Sequence, residues 1–226
     1  LRNGNFDNKK ALNMLKKINS KTDRIMEIIK GLRDFSTNDE ITITSTGNLK
    51  EIVTSVLDLN EYKILSGSIN VKLSLENVSV QCSESQISTV LHSMINNSIE
   101  SISGLSKKEI LISIREDQKN AKISIQDSGS GIPAKVAEKI FEPFFTTKEV
   151  GAGTGLGLSV ACGIIRSHGG IIRVDSTCPN TRFVITLPKK IDPSKIRYMS
   201  LDSFLLASHI TIKNGVSGIG TFNGSF

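Results

Sequence analysis

Three groups of polar residues lie where helix or strand patterns of this sequence begin or end. The first is a stripe on a predicted helix, in which Ser93, Asn97 and Ser101 recur every four residues and so share one face. An asparagine amide oxygen there can coordinate a hard cation such as Mg²⁺, which takes few protein ligands and completes its shell with phosphate and water. An ordinary helix surface residue is the alternative for a lone asparagine.

The second group is DSGSGIP at residues 127–133. Asp127 ends a predicted strand, so its carboxylate can leave the sheet end and accept a hydrogen bond from an exocyclic amine. Gly129 and Gly131 permit a positive φ and the close approach of a flat ligand to the backbone. A simple strand-to-helix turn favours the same residue types, so this segment alone leaves both interpretations open.

The third group is EPFFTTKEVGAGTGLGLS at residues 142–159. Glycines at every second position, from Gly151 to Gly157, expose successive backbone N–H groups, and the chain then enters a predicted helix near Leu156. Backbone donors at a helix N-terminus form an anion site. A flexible linker is the alternative, although linkers rarely run straight into an amphipathic helix. The side chains that add hydroxyl and ammonium groups are Thr146, Thr147, Thr154 and Lys148.

Familiar nucleotide motifs are absent from the sequence. It contains no GxxxxGK[ST], no GxGxxG after a predicted strand, and no HRD and DFG pair, which excludes the P-loop, Rossmann and protein-kinase classes. An amine acceptor, a metal ligand and a phosphate site nevertheless occur in one chain. Together they indicate ATP with Mg²⁺, bound by a different architecture.

Hydrophobic periodicity predicts the elements that position these groups. Helices are predicted at residues 48–59, 83–103 and 158–168, with a short one from Pro133 to Ile140, and Ser83 with Gln86 predicts a capping box. A strand is predicted at 70–76, and hairpins at 109–127 and 171–188. The predicted class is α+β, a two-layer sandwich of a mixed sheet with helices on one face. The apolar face predicted for the 83–103 helix comprises Ile87, Val90, Leu91, Met94, Ile95, Ile99 and Ile102.

Residues 9–35 carry apolar residues at alternating steps of three and four, which is typical of a coiled coil or a helical bundle. This helix needs a partner from another segment or subunit to cover its seam. The net charge is +6, and residues 1–36 carry +5 of it, from nine Lys/Arg and four Asp/Glu. A basic, solvated helix face explains this excess without nucleic acid. The seam residues are Leu15, Ile18, Ile25, Ile29 and Leu32, with Thr22 in the gap.

The amino-acid composition and the cysteine spacing narrow the class of protein and its cellular compartment. The chain is 38% hydrophobic and 22% charged, as in ordinary globular proteins. No run of 18 apolar residues and no signal peptide occurs, so we expect no membrane contact by this chain and a cytoplasmic location. Cys82, Cys162 and Cys178 have unrelated spacings and no CxxC pair, so we expect reduced thiols.

Four motifs resemble one known family. The segments NNSIES, DSGSGIP, IFEPFFTTK and GTGLGLS are similar, in order and spacing, to the N box, first glycine box, F box and second glycine box of sensor histidine kinases. That family belongs to the Bergerat-fold ATPases. The resemblance covers about residues 48–188, including HGG at 168–170 and the closing F-x-I-x-LP.

The resemblance implies a role for each matching residue. Asn97 would hold Mg²⁺, Asp127 would bind the adenine amine, and residues 141–153 would form a lid over ATP. Gly129 and Gly131 would shape the adenine pocket. The other residues that it places at the nucleotide are Ile132, Thr146, Thr147, Lys148, Gly153, Thr154, Gly155, Leu156, Gly157 and Leu158.

The resemblance also implies a domain organisation and an activity. Residues 1–38 would be the last helix of a dimerisation and phosphoacceptor bundle, 39–188 the ATP-binding domain and 189–226 a tail of unknown role. The chain would transfer the γ-phosphoryl group of ATP to a histidine and then to a response-regulator receiver domain. It would form a homodimer, and membrane anchoring of a longer protein stays open. The alternatives are an ATP-driven conformational clamp of the same superfamily and a degenerate nucleotide-binding scaffold.

The sequence departs from the family pattern at three points. Ser93 stands where the family has an acid or amide, so we expect weak ATP hydrolysis. His92, His168 and His209 lie outside any phosphoacceptor motif, so we expect the acceptor histidine to lie outside this chain. Asn180 stands where the family often has Gly.

Overall fold

The computed structural model describes residues 45–148 and 153–192 and five separate residues of the first segment. Most of the predicted seam therefore lies outside the described residues, as do Gly151, His209 and the predicted tail beyond residue 192. Those five residues are helical and exposed; they are Leu12, Met14, Leu15, Ile18 and Thr22.

The elements from residue 45 onward alternate between strands and helices. In chain order they are β1 (Thr46–Asn48), α1 (Leu49–Leu59), α2 (Glu61–Ser66), β2 (Asn70–Leu75), β3 (Ser79–Gln81), α3 (Glu84–Ser101), β4 (Glu109–Glu116), β5 (Asn120–Asp127), α4 (Ala134–Ala137), α5 (Gly157–Ser167), β6 (Ile171–Val174) and β7 (Arg182–Pro188).

Five strands form one mixed sheet in the order β2-β4-β5-β7-β6. The pair β2–β4 is parallel, and the other neighbours are antiparallel. Alternate residues of β4, β5 and β7 are buried, because the helices cover one face of the sheet. The structure confirms the predicted α+β class. A second, two-stranded sheet pairs β1 with β3.

The core joins α1, α3 and α5 to the covered face of the sheet. The predicted apolar face of α3 is buried as expected, from Ile87 to Ile102. Fully burying one such aliphatic side chain contributes roughly 1.5–3 kcal/mol. This face fixes the rotation of α3, and the polar stripe beside it consequently points toward one end of the sheet.

Local hydrogen bonds explain several element boundaries. The Asn48 side chain accepts hydrogen bonds from the backbone of Lys50 and Glu51 and so caps α1. In the β4–β5 turn, Asp117 Oδ1 accepts from the backbone N–H groups of Lys119 and Asn120, at 2.9 and 2.8 Å. Both predicted hairpins, 109–127 and 171–188, are present.

The predicted capping box at α3 is wrong. A capping box needs the Gln86 side chain to accept the backbone N–H of Ser83, but that N–H donates to His168 Nε2 at 3.1 Å instead. The Ser83 hydroxyl contacts the hydroxyl of Ser85. Gln86 Oε1 is buried without a partner among the described residues. His168, at the C-terminal end of α5, thus accepts the hydrogen bond that the sequence assigned to Gln86.

Two further differences concern short elements. The helix predicted from Pro133 to Ile140 is regular only as α4, because N–H groups such as those of Lys139 and Glu142 bond three residues back and tighten the chain into turns. Helix α2 and the strands β1 and β3 were not predicted. Of the helices in the described parts of the chain, none combines the length and hydropathy needed to span a bilayer.

Candidate functional site

One side of α3 faces both the end of β5 and the start of α5. The Ser101 hydroxyl donates a hydrogen bond to Asp127 Oδ2 at 3.1 Å. Two turns earlier, the Ser93 hydroxyl oxygen lies 2.6 Å from the position that a Cβ on Gly157 would take. Asn97 lies between them, about 6 Å along the helix from each. Its half-buried side chain makes no hydrogen bond within the part of the chain that the structure describes, so its carboxamide is available to a ligand.

Asp127 lies at the end of β5 and is 3% exposed. Its Oδ1 accepts a hydrogen bond from the Gly129 backbone N–H at 2.8 Å, and the Ser101 hydroxyl donates to Oδ2. Burial raises the pKa of the Asp127 carboxyl, and these hydrogen bonds oppose the rise. The side chain is therefore a buried, oriented acceptor that suits an N–H donor of a ligand.

The loop after Asp127 is closed against the turn between β6 and β7. A Cβ at Gly129 would lie 2.8 Å from Asp127 Oδ1, so only glycine fits without displacing the carboxylate. Gly131 has a φ of +81°, and a Cβ there would lie 3.0 Å from the Pro179 carbonyl oxygen. The Asn180 side-chain amide donates to the Gly129 carbonyl at 2.8 Å. These contacts leave a bare backbone beside the buried carboxylate.

The described parts of the predicted lid, residues 141–153, pack against each other at Gly153 and against the chain that follows at Gly155. Gly155 has a φ of +67°, and a Cβ there would lie 2.4 Å from the carbonyl carbon of Phe144, which itself has a φ of 65°. A Cβ at Gly153 would lie 3.0 Å from Thr146 Oγ1 and 3.1 Å from Lys148 Cδ. Residues 144–148 therefore pack directly on residues 153–155.

The Lys148 ammonium group pairs with the Glu100 carboxylate on α3. Glu100 follows Asn97 by three residues, so this ion pair lies beside the Asn97 carboxamide on the helix surface. The Lys148 backbone N–H donates to Thr146 Oγ1 at 3.2 Å, and Thr147 is exposed. The structure thus places the predicted lysine near the predicted metal ligand, with a carboxylate as its present partner.

The start of α5 presents its first backbone N–H groups beside Ser93. Among the described residues no side chain caps this helix, and Thr154 Oγ1 accepts the N–H of Leu156 just before it, at 3.3 Å. Uncapped N–H groups and the helix dipole favour an anion there. Leu156 is buried, and Ile132 and Leu158 pack half-buried against the core.

Two contacts of the site were not predicted. Thr181 reaches Asp127 because β5 pairs with β7, where Gln126 lies opposite Arg182, and Asn180 reaches Gly129 for the same reason. The sequence predicted each hairpin separately and gave no pairing between them. The one available signal was the polar residue Asn180 directly before the predicted closing strand, which could have indicated a contact with another loop.

A pocket of about 200 Å³ opens on the other face of the sheet. Leu111 and Gln126 line it, and they alternate with buried residues of β4 and β5. Of the predicted site residues it includes Asp127 alone. It therefore lies behind the predicted site.

Neither described histidine lies among these groups. His92 is exposed and contacts Asn60 at 3.2 Å. His168 is fully buried; its Nε2 accepts from the Ser83 backbone, so the ring proton lies on Nδ1, which donates to the Ile164 carbonyl at 2.8 Å. These contacts support the expectation that neither of the two is the phosphoacceptor histidine.

Known proteins are similar to this chain in sequence. Residues 82–191 match the family model described as histidine kinase-, DNA gyrase B-, and HSP90-like ATPase. Sporulation kinase A of Bacillus subtilis is 38% identical over 146 residues, which are 63% of this chain and 23% of that kinase. Sensor kinase CckA of Brucella abortus is 58% identical over 72 residues, which are 31% of this chain and 8% of that protein. The chain thus spans less than a quarter of the length of either relative.

Solved structures extend the similarity to the fold. The nucleotide-free catalytic domain of histidine kinase ThkA is 34% identical, with a TM-score of 0.59, and the match covers 65% of this chain and 97% of that domain. A complex of ThkA with the response regulator protein TrrA matches with a TM-score of 0.64 at 26% identity, over 86% of this chain and 54% of that one.

Proposed function

The chain belongs to the histidine kinase-, DNA gyrase B- and HSP90-like ATPase family, and from this membership we propose that it is the ATP-binding catalytic region of a two-component sensor histidine kinase. One observation carries the proposal for its site. The α3 stripe connects the buried Asp127 carboxylate to the uncapped start of α5, with the Asn97 carboxamide between them.

We place the adenine of ATP at Asp127 and its phosphates at the start of α5. The exocyclic amine would donate to the Asp127 carboxylate, and the bare backbone of Gly129 and Gly131 would lie along the base. The first N–H groups of α5 would bind phosphate oxygens. Asn97 would hold Mg²⁺, which when bound neutralises phosphate charge and fixes the phosphate geometry. Lys148 could add a phosphate contact by exchanging its Glu100 partner for the nucleotide.

The proposed reaction moves the γ-phosphoryl group from ATP to a histidine nitrogen, leaving ADP, and then to a response-regulator aspartate. Catalysis of such a transfer consists mainly of positioning and charge neutralisation. We place the acceptor histidine outside this chain, because His168 is buried in structural contacts and His92 lies outside the stripe. The ThkA–TrrA complex supports a receiver domain as the partner.

We further propose a domain organisation for the chain. Residues 1–38 would supply one helix of a dimerisation bundle and make the protein a homodimer in the cytoplasm. Residues 39–188 would form the ATP-binding domain. The backbones of Lys189 and Ile191 hydrogen bond to Gln81 of β3, so the segment 189–191 packs with that domain before the remaining tail.

The test combines this chain with radiolabelled ATP, Mg²⁺ and a separate helical bundle that carries a candidate acceptor histidine. We expect acid-labile label on the bundle, and its loss with Asp127→Asn or Asn97→Ala. Steady ADP release without labelled bundle would instead favour a conformational clamp. Absence of nucleotide binding, or binding indifferent to both substitutions, would contradict the kinase proposal and favour a scaffold.

A further inference from the structure

The turn at residues 175–181, between β6 and β7, is built as a rigid unit. Asp175 Oδ1 accepts hydrogen bonds from the backbone N–H and the hydroxyl of Thr177, at 3.1 and 2.6 Å. Asp175 Oδ2 accepts from Arg182 at 3.1 Å. Arg182 also donates twice to Gln126 Oε1, at 2.9 and 2.6 Å. The turn is thereby fixed to β5 at the residue before Asp127.

This turn contacts the loop after β5 at three successive points. The Thr181 backbone carbonyl accepts the N–H of Asp127 at 3.0 Å. The Asn180 side chain donates to the Gly129 carbonyl at 2.8 Å. The Pro179 carbonyl oxygen lies against Gly131, at the 3.0 Å that a Cβ there would have. The loop and the turn thus run in opposite directions, and each step of two residues along the loop meets one residue further back along the turn.

Of these three contacts, the one at Gly129 depends on a single side chain. The Gly129 N–H is held by Asp127 Oδ1 and its carbonyl by Asn180 Nδ2, so both of its backbone polar groups have partners. Glycine loses more conformational freedom on ordering than any other residue. A contact that holds Gly129 before a ligand arrives reduces the ordering cost of binding.

We infer that Asn180 is a positioning residue for the base end of the nucleotide, acting through the Gly129 carbonyl on the backbone beside Asp127. This inference rests on the proposed ATP site. Asn180 lies on the β6–β7 turn, at the base end of the proposed site and away from the α5 phosphate end. We therefore expect the loss of the Asn180 amide to weaken binding only of ligands that carry the adenine base.

The test measures ADP and ATP affinity of the whole chain by calorimetry with Mg²⁺, and inorganic triphosphate affinity by competition. We expect Asn180→Ala to weaken ADP and ATP equally, by about three- to tenfold, the value of one hydrogen bond. Inorganic triphosphate affinity should not change. Asn180→Asp keeps the shape and removes the donor, so it should weaken both nucleotides at least as much. In kinase assays KM for ATP should rise while kcat stays constant.

Asn120→Ala is the matched control, because Asn120 lies at the opposite end of β5 and its side chain contacts Asp117 instead. It should leave nucleotide affinity unchanged. ADP affinity within twofold of wild type in both Asn180 variants would overturn the inference, as would equal weakening of triphosphate binding. If the wild type itself fails to bind ADP, or Asp127→Asn binds it equally well, the proposed ATP site fails instead.

Discussion

At the scale of single residues, Asp127 combines a cost in stability with a gain in binding. Its carboxylate is buried, and burial raises its pKa from the ordinary value of 3.8. Above this raised pKa the charge is buried in the folded protein and solvated in the unfolded one, which disfavours folding. As the pH falls through the folded pKa, the folded state takes up a proton and the penalty shrinks. Below 3.8 the unfolded state is protonated as well, and the penalty disappears.

The first prediction is therefore that Asp127→Asn changes stability and binding in opposite directions. The variant should have a larger free energy of unfolding than the wild type at pH 7, and the difference should shrink toward pH 4. Its affinity for ADP should fall about tenfold to a hundredfold, because a hydrogen bond to a charged acceptor is lost. Urea unfolding at both pH values and ADP titration test this. Unchanged ADP affinity would refute the assigned role.

We expect Ser93 to limit a second reaction at the proposed site, the hydrolysis of ATP by water. Its hydroxyl faces the start of α5 but is a poor general base, so water attack on the γ-phosphate should be slow. Ser93→Glu should raise ATP turnover without an acceptor by at least about tenfold, within the range of a positioned general base. Ser93→Ala is the control and should stay at the wild-type rate. Equal rates in all three proteins would show that residue 93 does not limit hydrolysis.

Residue types and spacing pointed to Asn97, Asp127 and the glycines as candidate site residues because each lies next to a local pattern that the sequence displays. The contacts of Thr181 and Asn180 depend on the pairing of β5 with β7, which joins segments more than fifty residues apart. The wrong capping box has the same cause, since His168 reaches Ser83 across 85 positions. The periodicity within one segment does not show which distant segment of the chain it will contact.

At the scale of elements, strong periodicity predicted α3 and both hairpins. The short elements α2, β1 and β3 escaped prediction because three to six residues give too little pattern to separate strand or helix from loop. The strands β1 and β3 depend on a tertiary contact, because they pair only with each other and lie far apart in the chain. The sheet order likewise follows from packing rather than from any one segment.

The contact of Gly155 with the backbone of Phe144 gives an element-scale prediction. A Cβ there would clash with the Phe144 backbone, and the positive φ adds about 1–2 kcal/mol of strain for alanine. Gly155→Ala should therefore lower the free energy of unfolding and weaken ATP binding. Gly104→Ala, where a Cβ would meet nothing within 4 Å, should change stability by less than about 0.5 kcal/mol. Equal effects of the two substitutions in denaturant unfolding would contradict this contact.

His168 couples α5 to the start of α3, and this coupling should depend on pH. Burial lowers the pKa of the His168 ring below its ordinary 6.5. Below pH 6.5 the unfolded chain binds a proton that the folded protein excludes, so stability falls as pH falls, by at most about 1.4 kcal/mol per pH unit.

His168→Gln should remove this part of the pH dependence and be less stable than wild type at pH 7.5, because one amide cannot replace both ring hydrogen bonds. Unfolding free energies between pH 5 and 7.5 test the prediction. Parallel curves for the two proteins would mean that His168 does not exclude its proton.

At the scale of the whole molecule, helix α3 belongs to both the hydrophobic core and the proposed site. The apolar face of α3 builds the core, and its polar stripe meets β5 and α5, which lie far apart in sequence. The same helix thus connects stability with the site. Membership of the ATPase family supports our proposal that a nucleotide is the ligand that spans these elements.

The most direct measurement is a crystal structure of the chain with Mg²⁺ and a non-hydrolysable ATP analogue. We expect the adenine amine within hydrogen-bond distance of the Asp127 carboxylate, Mg²⁺ on Asn97 Oδ1, and phosphate oxygens at the first N–H groups of α5. An analogue bound elsewhere, or one that leaves Asp127 or Asn97 without contact, would contradict the proposed ATP site.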